Sequence, residues 1–133
     1  LKVELKYLSL RKQNYIETVF ELSREKGFAR TKEIAEKLNV KMPSVTEMLK
    51  QLSDISLIRH EKRGKVFLTG AGKTLANELE RRQSVLVQLF KYIGCSITHS
   101  EKIACKIEHD IDRETVNRLE LLMISLENKE LSF

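Results

Sequence analysis

Cys105, Glu108 and His109 stand at i, i+3 and i+4. At about 100° per residue on a helix they fall within an arc of about 100°, and Glu101, one turn earlier, falls in the same arc. A thiol, a carboxylate and an imidazole on one face are the S, O and N donors that hold a divalent transition ion. The competing reading is an ordinary solvated face on which one Cys happens to lie. Ile103, Ala104, Ile107 and Ile111 are expected on the opposite side, as a packing face. Near the start of the chain, Asn14 and Glu17 share a face away from Ile16, Val19 and Phe20. Taken alone, Glu17 reads as a surface charge. Cys105 and His109 also have the composition of a nucleophile and its base. No Gly-rich loop or oxyanion-donor turn accompanies them, so an enzyme is not expected.

A second group has the chemistry of nucleic-acid contact. Lys41, Ser44, Thr46, Glu47, Lys50 and Gln51 lie on or near the outer face of a helix that Val45, Leu49 and Leu52 pack on its other side. Pro43 suits the first turn of that helix, where a missing N–H costs nothing. A polar helix of this size fits the major groove of duplex DNA. Arg59, Lys62, Arg63 and Lys65 follow on two β-prone runs, Leu57–Glu61 and Lys65–Thr69, with Gly64 in the turn. Such cations reach phosphates, which supply affinity without reading sequence.

The elements that must carry these residues are mostly helices. A chain of 133 residues with five Gly and one Pro has few turns. Its apolar runs are far short of the ~20 residues that span a membrane. Tyr15, Ile16, Val19, Phe20 and Leu22 mark a helix over ~10–26 that Gly27 stops. Thr31 is expected to cap a second helix that places Ile34, Ala35 and Leu38 on one side and ends at Asn39, with no capping box. The helix of Val45, Leu49 and Leu52 and the hairpin come next. A long helix then runs from Gly70–Gly72 to about Ile93, followed by helices over ~99–110 and ~112–127.

Helix, helix, turn, helix and hairpin is the order of a winged helix-turn-helix. The charge divides the same way: residues 1–75 hold 16 Lys/Arg against 9 Asp/Glu, and residues 76–133 hold 8 against 10. The first segment suits a polyanion; the second does not. The second is instead rich in Leu86, Leu89, Phe90, Ile93, Ile103, Ile107, Leu119, Leu122 and Leu126. About 58 residues have too little interior to hide them all, so a homodimer is expected. The fold class is therefore mainly α: a DNA-binding winged helix over 1–75 and a helical dimerisation domain over 76–133. The first ten residues lack a secretory pattern, and two Cys make no disulfide framework; Cys95 reads as a small buried residue. Reduced thiols in the cytoplasm are the expectation.

The ordered set Asn14-Tyr15-Ile16-Glu17, Gly27-Phe28-Ala29-Arg30-Thr31, Glu33-Ile34-Ala35-Glu36, Pro43-Ser44-Val45-Thr46, Leu68-Thr69-Gly70-Ala71-Gly72-Lys73 and Cys105-Lys106-Ile107-Glu108-His109 resembles the diphtheria-toxin-repressor family of metal-dependent transcriptional regulators. The length resembles its short branch, typified by the manganese transport regulator, without an SH3-like domain. The resemblance implies that the second domain dimerises and holds the metal, and that the loaded dimer binds a palindromic operator and represses metal-uptake genes. It implies Cys105, Glu108 and His109 as main ligands, completed by Glu17 or Asn14, and by Glu101 where iron-type members have a further His. Fe(II) or Mn(II) is the implied ion, with Co(II), Ni(II) or Zn(II) as substitutes in vitro. Neither a membrane nor a small organic substrate is implied. Three positions depart from the family. Asn14 stands for Met or Asp, Gln83 for a His and Val87 for a Glu, so a second site on the long helix is not expected. The alternative is a winged-helix regulator that has lost metal sensing.

Overall fold

The computed structural model describes residues 3–128. The outer ends of both expected domains, residues 1–2 and 129–133, lie outside the described residues. The chain divides into two compact units, Leu1–Asn77 and Glu78–Phe133, against an expected division after residue 75.

The first unit opens with helix α1, Leu10–Lys26, whose N-cap Ser9 accepts the Lys12 N–H and which ends at Gly27. Strand β1, Ala29–Arg30, leads directly into α2, Thr31–Leu38, and α2 stops where Asn39 turns left-handed. Helix α3, Met42–Asp54, has Pro43 in its first turn. Strands β2, Ile58–His60, and β3, Lys65–Leu68, form the hairpin. Ile16 and Val19 of α1, Ile34 of α2, and Val45, Leu49 and Leu52 of α3 are fully buried, as are Leu57 and Val66. Each contributes about 1.5–3 kcal/mol by leaving water. The three helices meet because these faces have to meet.

The sheet has three strands, in order β1-β3-β2, with both pairs antiparallel. The two-residue β1 is absent from the sequence-based expectation, because so short a strand carries no periodic signal. It also moves a helix cap. Thr31 was the expected N-cap of α2, but Arg30 holds the extended cap position and its N–H donates to Glu33 Oε1 at 2.9 Å. Counting from Arg30, the third helical residue is a carboxylate rather than Ile34. The Thr31 hydroxyl donates instead to the Gly64 carbonyl at 3.1 Å.

The long helix α4, Gly70–Tyr92, begins at Thr69, whose hydroxyl accepts the Gly72 N–H at 3.1 Å and donates to the Ser56 carbonyl at 2.7 Å. A Cβ on Gly72 would stand 2.1 Å from the Leu57 carbonyl oxygen. Only glycine allows the helix to start against that strand end.

The second unit takes the remainder of α4, then α5, Ile97–Ile107, a short 3-10 turn, Glu108–Asp110, and α6, Arg113–Asn128. Leu79, Leu86, Ala104, Val116 and Met123 are buried. Leu121, Leu122 and Ile124 on α6 remain 68%, 45% and 49% exposed. No described helix is long and apolar enough to cross a membrane.

Candidate metal centre and nucleic-acid interface

The expected helix over ~99–110 is two pieces. The α-helix stops at Ile107, and Glu108 and His109 belong to the 3-10 turn, where residues advance by about 120° rather than 100°. The expected common polar face is divided accordingly. Glu101 and Cys105 are exposed, whereas Glu108 is 1% exposed. Even ideal helical counting puts Glu108 only about 40° from Ala104. The carboxylate therefore borders the packing face, not the opposite side, and it is buried as Ala104 is. Ile103, Ile107 and Ile111 are half-buried.

Burial gives Glu108 its chemistry. Its Oε1 lies 3.2 Å from His109 Nε2. Its Oε2 is buried and has no hydrogen-bond partner among the described residues. An orphaned carboxylate oxygen in the interior is costly, and a cation or a proton relieves that cost. Beside it stands a half-buried imidazole. A carboxylate oxygen and an imidazole nitrogen together fit a divalent transition ion; Cys105, one turn earlier, is exposed and its thiol is not gathered with them. Asn14 is exposed and Glu17 half-buried, both on α1 in the first unit; Gln83 and Val87 are half-buried on α4.

The turn is braced by residues that sequence reasoning did not single out. Arg82, 7% exposed on α4, donates from Nη1 to the Ile111 carbonyl at 2.7 Å. Glu78 Oε1, one turn back, lies 3.5 Å from Arg82 Nε and 3.1 Å from Arg81 Nη2. Arg81 also donates to Asn117 Oδ1 at 2.8 Å and pairs with Glu120 on α6. The Glu78 bond and the two carboxylates hold the Arg81 guanidinium above its ordinary pKa. Asp112 then caps α6, accepting the Thr115 N–H at 2.7 Å. Bonds from the Thr115 hydroxyl and N–H hold its carboxyl below the ordinary aspartate value. The legible signal was Glu78 at i−3 and i−4 to paired arginines.

In the first unit, Lys41, Pro43, Thr46, Glu47, Lys50 and Gln51 are exposed around α3, and Ser44 is half-buried. The Thr46 hydroxyl donates to the Met42 carbonyl at 3.1 Å. Met42 itself, 44% exposed, is an apolar side chain on this face that the sequence reading passed over. At the wing, Arg59, Lys62 and Arg63 are exposed and Lys65 is half-buried. Two bonds tie the wing tip to the start of α2: Thr31 to the Gly64 carbonyl, and Arg30 Nη1 to the Arg63 carbonyl at 3.2 Å. The left-handed Gly64, φ +75°, presents its backbone so closely that a Cβ would meet the Thr31 hydroxyl at 2.9 Å.

Comparison with known proteins agrees with the fold. The N-terminal DNA-binding domain of iron-dependent repressors matches residues 7–66, and their metal-binding and dimerisation domain matches residues 69–129. The HTH-type transcriptional regulator MntR of Shouchella clausii is 34% identical over 107 residues, which are 80% of this chain and 75% of that protein. The crystal structure of T. acidophilum IdeR has a TM-score of 0.72 at 28% identity, covering 93% of this chain and 56% of that one. The structure of the manganese regulator SloR has a TM-score of 0.70 at 30% identity, covering 84% of this chain and 53% of that one. The chain thus spans little more than half the length of these two solved structures.

Proposed function

The chain belongs to the iron-dependent repressor family, the diphtheria-toxin-repressor family that its motifs resemble, and from that premise we propose that it represses metal-uptake genes in the cytoplasm by binding a palindromic operator as a metal-loaded homodimer. The family consists of metal-dependent transcriptional regulators, not enzymes. The observation that carries the metal reading is the buried Glu108, whose Oε2 has no hydrogen-bond partner among the described residues, beside His109.

Glu108 and His109 hold the ion, with Cys105 as the third ligand of the segment and Glu17 completing the set. Asn14 and Glu101 are weaker, outer donors: both are exposed, and an amide oxygen brings no charge. Mn(II) is the favoured ion, as for the manganese regulator SloR, with Fe(II) second. When bound, the ion supplies the positive charge that the Glu108 carboxylate lacks. Ligands drawn from residue 17 and from 105–109 belong to different units. Ligation from both narrows the spacings that two recognition helices sample. Each α3 then meets one of two successive major grooves, about one turn of DNA apart. Lys41, Pro43, Ser44, Thr46, Glu47 and Lys50 face the bases, and Arg59, Lys62, Arg63 and Lys65 the phosphates. The dimer forms through the second unit, where Leu121, Leu122 and Ile124 stand exposed on α6.

The test is a thermodynamic cycle. Operator affinity is measured by fluorescence anisotropy with and without Mn(II), and Mn(II) affinity with and without operator. Coupling of ~1–3 kcal/mol makes each ligand tighten the other by about 5–150-fold. Equal affinities with and without Mn(II) would leave the second reading, a winged-helix regulator without metal sensing. The observation that favours it is the set of departures Asn14, Gln83 and Val87.

A further inference from the structure

The geometry points to Met42, the first residue of α3, as a specificity-determining residue: its thioether side chain packs against the 5-methyl group of a thymine in the major groove. The inference rests on the DNA-binding reading above and deepens it, adding a residue that the polar side chains of α3 leave out and naming the base feature it recognises.

Helical counting would hide Met42. At about 100° per residue it falls about 20° from Leu49, which is fully buried, and it continues the stripe of Val45, Leu49 and Leu52. Yet Met42 is 44% exposed. It stands about two turns before Leu49, at the first position of the helix, and a helical Cβ leans toward the N-terminus. The side chain therefore projects past the start of α3, beyond the core that holds Leu49.

Its neighbours suit the place to a methyl group. Met42, Pro43, Thr46, Glu47 and Lys50 line one open hollow on the outer side of α3. Pro43 offers a hydrocarbon ring and no N–H. The Thr46 hydroxyl spends its one hydrogen on the Met42 carbonyl at 3.1 Å, so none is left for a base, and its methyl group remains. Three apolar groups thus stand together at one end of a helix whose other outward residues are polar. The hollow also holds two carboxylates, Glu47 and Asp54, against one ammonium, Lys50, a balance that suits base edges rather than phosphates. A recognition helix places its N-terminal residues on base edges. The major groove offers donors, acceptors and one apolar feature, the thymine methyl. A thioether has no donor and only a weak acceptor, so that methyl is what Met42 can read.

The experiment begins with the duplex that the full chain, with Mn(II), selects from a random-sequence library. Each thymine of that duplex is replaced in turn by deoxyuridine, which removes the 5-methyl group and keeps the base pair. At one thymine in each half-site the replacement is expected to weaken binding by about 4-fold, the worth of one buried methyl group. In Met42→Ala the same replacement is expected to cost nothing, because the group that touched the methyl is gone. Met42→Gln, which keeps the length of the side chain and ends it in an amide, is expected to behave as Met42→Ala does. Met42→Leu should keep the discrimination, and so should Ile55→Ala, which removes an exposed apolar side chain just past the other end of α3. Thermal melting checks that each variant folds. A parent indifferent to every replacement overturns the inference. So does a folded Met42→Ala or Met42→Gln that still loses about 4-fold at the same thymine, which makes Met42 a support for α3 only. A parent that selects no duplex overturns the DNA-binding reading and this inference with it.

Discussion

The Arg82 guanidinium donates to the Ile111 carbonyl at 2.7 Å, so a buried cation on the long helix holds the chain just after the turn that carries Glu108 and His109. The bond is charge-assisted and nearly excluded from solvent, which makes it worth about 1.5–3 kcal/mol. It ties the candidate ligands to a rigid helix rather than to a loop.

Arg82→Ala should therefore lower the stability of the second unit by about 2 kcal/mol. It should also weaken Mn(II) binding by about 10–100-fold, the usual effect of losing a group that orients ligands. Thermal melting and a metal titration measure the two separately. Normal metal affinity in a destabilised variant would make Arg82 a packing residue only.

Glu108 trades stability for binding. Its Oε2 is buried without a hydrogen-bond partner among the described residues, so Glu108→Gln should leave the metal-free protein as stable as the parent, or more stable. The same change should remove the rise in melting temperature that Mn(II) produces. Cys105→Ala should weaken metal binding more than Cys95→Ala does, and sulfur-to-cobalt absorption in the Co(II) form should vanish with Cys105 alone. Because ligation needs a neutral imidazole and a thiolate, affinity should fall on acidification.

Gly72→Ala places a methyl group against the Leu57 carbonyl oxygen. The backbone on both sides is fixed, so the cost should reach the upper part of the ~1–3 kcal/mol range for overpacking. Urea unfolding should show it. Gly70→Ala, with open space around the added atom, should cost less by comparison.

Leu121 is 68% exposed on α6, in a stripe with Leu122 and Ile124. Leu121→Glu should shift the protein toward monomer in sedimentation at micromolar concentration, and operator affinity should fall with it. A parent that is already monomeric would remove the model of two half-sites.

Asp112 sets an acid limit on the start of α6. Its carboxyl is held below the ordinary aspartate value by the Thr115 hydroxyl first and the Thr115 N–H second. A carboxyl with a depressed folded-state pKa contributes stability that is present above its unfolded value, near 3.9, and is lost as pH falls through the folded one. Asp112→Asn keeps an acceptor for the cap and should flatten that acid dependence in a pH series of melting curves.

Much of this protein was legible as pattern. Tyr15, Ile16 and Val19 announced α1, Gly27 and Asn39 its end and that of α2, and Pro43 the start of α3, because caps and periodicity are local properties of the chain. The paired runs around Gly64 announced the wing for the same reason. Cys105, Glu108 and His109 were legible as a thiol, a carboxylate and an imidazole on neighbouring turns, but spacing does not say which of them is buried.

Other features are decided by contacts distant in sequence. Ala29–Arg30 is a strand only because Val66 and Lys65 arrive beside it, and that pairing moves the α2 cap from Thr31 to Arg30. The helix carrying Cys105 stops at Ile107, and beyond the turn the Ile111 carbonyl accepts from Arg82, 29 residues away. Glu108 is buried and Cys105 and Glu101 are exposed, where the sequence reading had grouped all three on one polar face. The gathering of Lys26, Arg30 and Lys65 on Phe28 belongs to the same class, for it exists only once β1 has paired with β3. Sequence determined which side chains are present and which local elements they favour. Tertiary structure decided which polar atoms lose their water, and that loss makes Glu108 a candidate ligand rather than a surface charge.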